Sequence, residues 1–151
     1  MKLRILPLFL LLACRGDVTG PESAIQLTLV SPPVEAMVGD SRQVDVVVTN
    51  TGTTPMTLEM GCNSLLMETQ QGKHFATGSY RICVASLRVV ELAGGVSIAL
   101  KAGWNVGLLD TPSRDHTQLP AGRYTVRGRL LIGKVAVYSD TTSVNIRAKP
   151  E

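Results

Sequence analysis

Aromatic rings, histidine and any helical period are what this chain has least of. Phe, Trp and Tyr together make up 4% of the 151 residues. Phe9 lies in an apolar leader, so Phe75, Tyr80, Trp104, Tyr124 and Tyr138 must serve core and surface alike. A sugar-binding platform of stacked rings therefore has little to draw on, and Trp104 is expected inside. With His74, His116 and three cysteines, the chain has no Cys-x-x-Cys and no His-x-x-x-His spacing. No metal site and no cofactor are expected. Walker loops, dinucleotide fingerprints and a Gly-x-Ser-x-Gly elbow are all missing, and catalysis is not expected. No segment sustains a 3.6-residue period, and no apolar run is long enough to span a bilayer as a mature helix.

What is present is alternation. Ile25, Leu27 and Leu29 alternate with Gln26 and Thr28 until Ser31-Pro32-Pro33 stops the strand. Val34–Val38 reads as a short continuation. Val44, Val46 and Val48 share a face of Gln43–Thr49, and Met56, Leu58 and Met60 share a face of Met56–Met60. The turn formers of Asn50–Pro55 join these two. Leu65–Thr69, Tyr80–Val84, Leu87–Leu92, Val96–Leu100 and Trp104–Leu109 are further strand candidates. His74–Gly78 reads as a loop, Lys101-Ala102-Gly103 as a turn, and Asp110–Gln118 as a polar loop. Late in the chain, Leu119-Pro120-Ala121-Gly122-Arg123-Tyr124 has the look of a sharp corner. Pro120 fixes φ and Gly122 is free to take unusual φ. Tyr124, Val126, Gly128 and Leu130 then lie on one strand face, and Arg123, Thr125, Arg127 and Arg129 on the other. A Tyr just inside such a strand resembles the tyrosine corner of immunoglobulin-like domains. Gly133-Lys134 makes a hairpin into Val135–Tyr138, and Ser139-Asp140 bulges the chain before Ser143–Ile146. The expected fold is all-β: an immunoglobulin- or fibronectin-III-like antiparallel sandwich of about seven to nine strands over residues 24–147.

The N-terminus has a different character. Lys2 and Arg4 precede the apolar run Ile5–Ala13, which has the shape of a secretory signal. Its end, Leu11-Leu12-Ala13-Cys14, resembles the bacterial lipobox. That resemblance implies cleavage after residue 13, lipid on Cys14, a tether over residues 14–23, and a membrane partner through the lipid. Arg15, not Asp, follows the cysteine. The resemblance then implies the outer membrane where there are two membranes, on the periplasmic side or the cell surface. Removing residues 1–13 takes Lys2 and Arg4 but no acid, leaving 13 basic against 12 acidic side chains. Net charge thus makes no case for nucleic acid. Cys62 and Cys83 remain as an even pair in an oxidising compartment, expected to bridge around 20 intervening residues. Two buried free thiols are the competing arrangement.

Val44–Leu58 reads Val-x-Val-x-Val-x-Asn-x-Gly-x-x-Pro-x-x-Leu, and Lys101-Ala102-Gly103 and Leu-Pro-Ala-Gly-Arg-Tyr follow in order. This series resembles the bacterial intracellular proteinase inhibitor (BsuPI-like) domain. The chain departs from it at Leu65-Leu66-Met67-Glu68, where an aromatic-rich strand is expected, and in the Cys62 and Cys83 pair. The expected role is a non-catalytic, lipid-anchored interaction module of the cell envelope, with an unknown envelope protein as partner and no small-molecule substrate in view. Arg123, Arg127 and Arg129 are the candidate interaction face. The alternative is a proteinase inhibitor, with Asp110, Ser113, Arg114, Asp115 and His116 as the candidate loop. The Ser, His and Asp of that loop match a catalytic triad in residue type alone, and solvated loop residues are the expected state.

Overall fold

A computed structural model describes residues 24–61, 63–78, 87–110 and 116–150. Thirteen strands are found among them: β1 (Ile25–Leu29), β2 (Glu35–Met37), β3 (Ser41–Asn50), β4 (Met56–Met60), β5 (Leu65–Gln71), β6 (His74–Thr77), β7 (Arg88–Leu92), β8 (Ser97–Asn105), β9 (Leu108–Asp110), β10 (His116–Gln118), β11 (Gly122–Ile132), β12 (Val135–Tyr138) and β13 (Thr142–Arg147). The molecule is all-β, as its alternation requires. Val44, Val46 and Val48 are buried along β3, and Val126, Gly128 and Leu130 along β11.

The strands form a curled, mixed sheet in the order β1-β3-β8-β5-β11-β13-β2, with β6 added to β5 and β12 to β11. The curl brings the first strand back onto β11. Leu27 and Leu29 of β1 lie over Gly128, where an added Cβ would meet their Cδ2 atoms at 3.3 and 3.2 Å. The β4–β7 ribbon forms its own two-stranded sheet and turns Leu58, Met60, Val90 and Leu92 into the core. Trp104 is among the largest fully buried side chains, and its Nε1 donates to Thr69 Oγ1 at 3.3 Å.

An antiparallel sandwich is expected from the sequence, and the sheet is instead mixed. β2 runs parallel to β13, and β5 meets β8 in parallel at the single pair Leu66 and Gly103. Proline explains the first. Pro32 and Pro33 cannot donate to a ladder, and Ser31 at φ 47° turns the chain away from β3. The chain therefore crosses to the opposite end of the strand order before pairing again.

Three local readings also change. His74–Thr77 is not a loop but pairs with β5, completing a hairpin around Gly72 at φ 59°. Lys101-Ala102-Gly103 is not a turn but lies within β8, and the chain turns instead at Gly107, φ 66°. Gly103 marks the close approach of β5, a common reason for glycine inside a strand. Asp110–Gln118 is not wholly loop: β9 and β10 pair at its ends, Asp110 opposite His116. The corner forms as expected, with Tyr124 Oη donating to the carbonyl of Pro120 at 2.8 Å. Ser139 breaks the edge between β12 and β13. Its N–H donates to Gly128 O at 3.0 Å, and its Oγ accepts from Gly128 N at 2.8 Å.

Candidate functional site

The basic face of β11 is built by strand register. Arg127 lies opposite Glu68 of β5, and Arg129 opposite Leu66 on one side and Tyr138 of β12 on the other. Glu68 is 5% exposed, so its charge must be met locally. Arg127 Nε donates to Glu68 Oε2 at 2.9 Å, with a second guanidinium nitrogen 2.8 Å from the same oxygen. The Arg127 guanidinium also lies 4.0 Å from the Phe75 ring centroid and 3.7 Å from that of Tyr138. This arrangement satisfies a cation by carboxylate and ring faces together. Arg129 Nε stands 3.6 Å from Glu68 Oε1, too far for a hydrogen bond, and is buried without a hydrogen-bond partner.

The three arginines are thus not one outward row. Arg127 and Arg129 converge on Glu68 with about a quarter of each side chain exposed. Arg123 is exposed at the start of the strand, opposite Asn145. It lies four residues from Arg127, about 13 Å along an extended chain. Two cations around one anion leave a single net positive charge, held in a largely desolvated stack. Sequence reasoning missed Glu68, Phe75 and Tyr138 as members of this group. A signal existed: Glu68 ends the apolar run Leu65-Leu66-Met67, and a charge within such a strand calls for counter-ions.

A second feature lies between β8 and the β4–β7 ribbon. Met60, Gly61, Leu65, Arg88, Ala99, Leu100 and Lys101 line a cleft of about 470 Å³. It opens where β5 leaves β8 and the chain turns back through Ser64, whose N–H donates to Gly61 O at 3.1 Å. Lys101 Nζ is drawn across to Asp45 Oδ1 of β3 at 2.6 Å. Arg88 makes no ion pair with another described residue.

Other candidate residues are not brought together by the described structure. Asp110 and His116 are backbone partners across the β9–β10 hairpin. Ser113, Arg114 and Asp115, like Cys14, Cys62 and Cys83, lie outside the described residues. Residues 1–13 and the tether 14–23 lie outside them as well. No group of three or more His, Cys, Asp or Glu among the described residues is placed to hold a metal ion.

No family model matches the chain, and no curated protein matches it. Solved structures offer partial likenesses. A β-glucosidase from Listeria innocua in complex with glucose aligns at TM-score 0.48 and 15% identity, covering 82% of this chain and 16% of the enzyme. The Pseudomonas fluorescens alkylpurine DNA glycosylase AlkC, bound to DNA containing an abasic site analog, aligns at 0.45 and 15%, over 83% of this chain and 31% of that one. A Bifidobacterium adolescentis GH3 β-glucosidase aligns at 0.44 and 17%, over 81% and 17%. The chain spans less than a third of the length of each.

Proposed function

We propose that this chain is a lipid-anchored envelope protein whose β-domain binds another protein and does no chemistry. The observation that carries this reading is Leu11-Leu12-Ala13-Cys14 at the end of a charged-then-apolar leader, with ten residues between Cys14 and the start of β1. In this reading Cys14 carries the lipid, residues 15–23 are the tether, and Arg15 directs the protein to the outer membrane. The domain itself is read as an immunoglobulin-type sandwich related to the BsuPI-like family. Strand order supports that: β1-β3-β8 form one group and β5-β11-β13-β2 another, and a single residue pair joins them. A short strand parallel to the last one, and a tyrosine corner opening β11, also belong to that architecture.

A binding role suits a scaffold whose buried polar groups serve to fix strands. Glu68 is paired with arginines and Asn50 is hydrogen-bonded to backbone groups, and neither is held ready for a reactant. The test is crosslinking in intact cells, comparing the native chain with Cys14→Ala. A specific adduct that depends on Cys14 is the expected result. Absence of any specific adduct would leave a spacer. Stoichiometric inhibition of a serine protease, lost on shortening the β9–β10 hairpin, would move the reading to a proteinase inhibitor.

A further inference from the structure

The strand order leaves one stretch of sheet edge with its hydrogen-bonding groups turned outward beside the cleft. β8 pairs with β3 along its whole length, but meets β5 only at Gly103 among the described residues. The phase of the β3–β8 ladder follows from bonds at its margins. Asn50 N donates to Val96 O at 3.0 Å, and Val30 N reaches Asp45 O on the other side of β3 at 2.9 Å. Alternation then makes Val48 with Ile98, Val46 with Leu100 and Val44 with Ala102 the hydrogen-bonded pairs. Ser97, Ala99 and Lys101 occupy the intervening positions, so their N–H and C=O groups point away from β3. Gly103 shares that phase, and it is the residue that meets β5.

We infer that the Ser97–Lys101 edge of β8 is a strand-addition site for an extended peptide segment carrying alternate apolar residues and a carboxylate. This rests on the interaction-module reading and names its surface and the chemistry of its partner. Each part of the partner answers a feature of the site. The outward amides and carbonyls require another backbone in extended form. Met60, Leu65 and Leu100 give the cleft an apolar floor for side chains on one face of the incoming strand. Arg88 at the rim offers a cation with no ion pair to another described residue. The cleft volume falls within the range of about 300–1,000 Å³ found for binding sites. Exposed edges are commonly blocked by lysine or proline. Here Lys101 pairs with Asp45 of β3, and no described residue blocks the Ser97–Lys101 edge.

Hydrogen exchange by NMR on the full-length chain tests this. The probe is a short capped peptide alternating Val and Thr with one Glu, beside a twin carrying Lys in place of Glu. In the free protein, the amides of Ala99 and Lys101 should exchange far faster than those of Ile98 and Leu100. The Glu peptide should slow Ala99 and Lys101 specifically, and the Lys twin should bind less tightly. Arg88→Glu should reverse that preference. Ala99→Pro removes one outward donor without touching the β3 ladder, and should weaken binding about tenfold, the effect of one hydrogen bond. Should that variant not fold, methylating the peptide's backbone nitrogens makes the same test from the ligand side. Protection of Ala99 and Lys101 in dilute free protein would overturn the site, because the edge is then already occupied. Protection that rises with protein concentration would assign the edge to a second copy and overturn the peptide. Failure of both peptides to slow these amides would overturn it as well, while a Cys14-dependent crosslink would still uphold the module reading.

Discussion

Asn50 shows how one polar side chain can hold three segments. It is 1% exposed, and both amide hydrogens are used, on Thr54 O at 2.9 Å and Leu92 O at 3.0 Å. Its Oδ1 accepts from Gly52 N at 3.0 Å, and its backbone bonds to Val96 and Gly95. The turn after β3, the end of β7 and the entry to β8 therefore meet at one residue. Asn50→Ala is expected to cost about 2–4 kcal/mol, because two carbonyls and one amide lose partners in a buried site. Asn50→Asp should cost more, since an acceptor would face two carbonyl oxygens. Urea midpoints measure both, and a loss near zero for Asn50→Ala would mean that water replaces the side chain. Glu68 is the second such residue. Glu68→Gln leaves Arg127 and Arg129 facing a neutral amide, with an expected loss of roughly 2–3 kcal/mol, reduced from a fully buried pair by their partial exposure. Glu68→Gln as stable as the native chain in salt-free buffer would show that the ring stack alone holds Arg127.

Elements are governed by where backbones can approach. Gly94-Gly95 precedes β8, and Gly95 takes φ 74°. Gly94 is needed for a different reason, since an added Cβ would lie 2.5 Å from the carbonyl carbon and oxygen of Thr53. Those are backbone atoms that cannot rotate aside. Gly94→Ala is expected to destabilise by about 2 kcal/mol or more by overpacking. Thermal unfolding checks it, and Gly133→Ala is a control that meets only the backbone penalty of its positive φ, with open space around its Cβ. The same principle explains the misread Lys101-Ala102-Gly103. Its composition suits a turn, yet β3 supplies a partner to every residue from Ser97 to Asn105 and keeps the strand straight. The segment His74–Thr77, which reads as a loop in sequence, likewise becomes a strand by pairing with β5. Local composition records intrinsic preference, and neighbouring strands override it.

At the scale of the whole molecule, the predictions turn on the cysteines. Cys14→Ala should shift the protein from the membrane to the soluble fraction, as read by fractionation of intact cells. Density gradients should place the native chain with outer-membrane markers, and co-sedimentation with inner-membrane markers would reverse the sorting assigned to Arg15. Cys62 and Cys83 are expected to bridge and to add about 2–4 kcal/mol by restricting the unfolded chain. Non-reducing mass spectrometry of exported protein decides this, with two alkylatable thiols as the contrary result.

The sequence by itself determined the all-β class, the buried faces of β1, β3, β4 and β11, and the tyrosine corner. Each depends on residues close together in the chain: a period of two, or a proline and a glycine ahead of a tyrosine. Only the tertiary structure decided the mixed order of the strands, the Arg127 stack and the stretch of β8 that no described strand besides β3 pairs with. Glu68 and Arg127 are 59 residues apart, and no local pattern relates them until β5 and β11 pair. Among the described residues, the Ser97–Lys101 edge of β8 has no strand partner besides β3, because β5 meets β8 only at Gly103. Pairing partners are chosen by global packing, in which each strand competes for the edges the others leave, and this information is distributed over the whole chain.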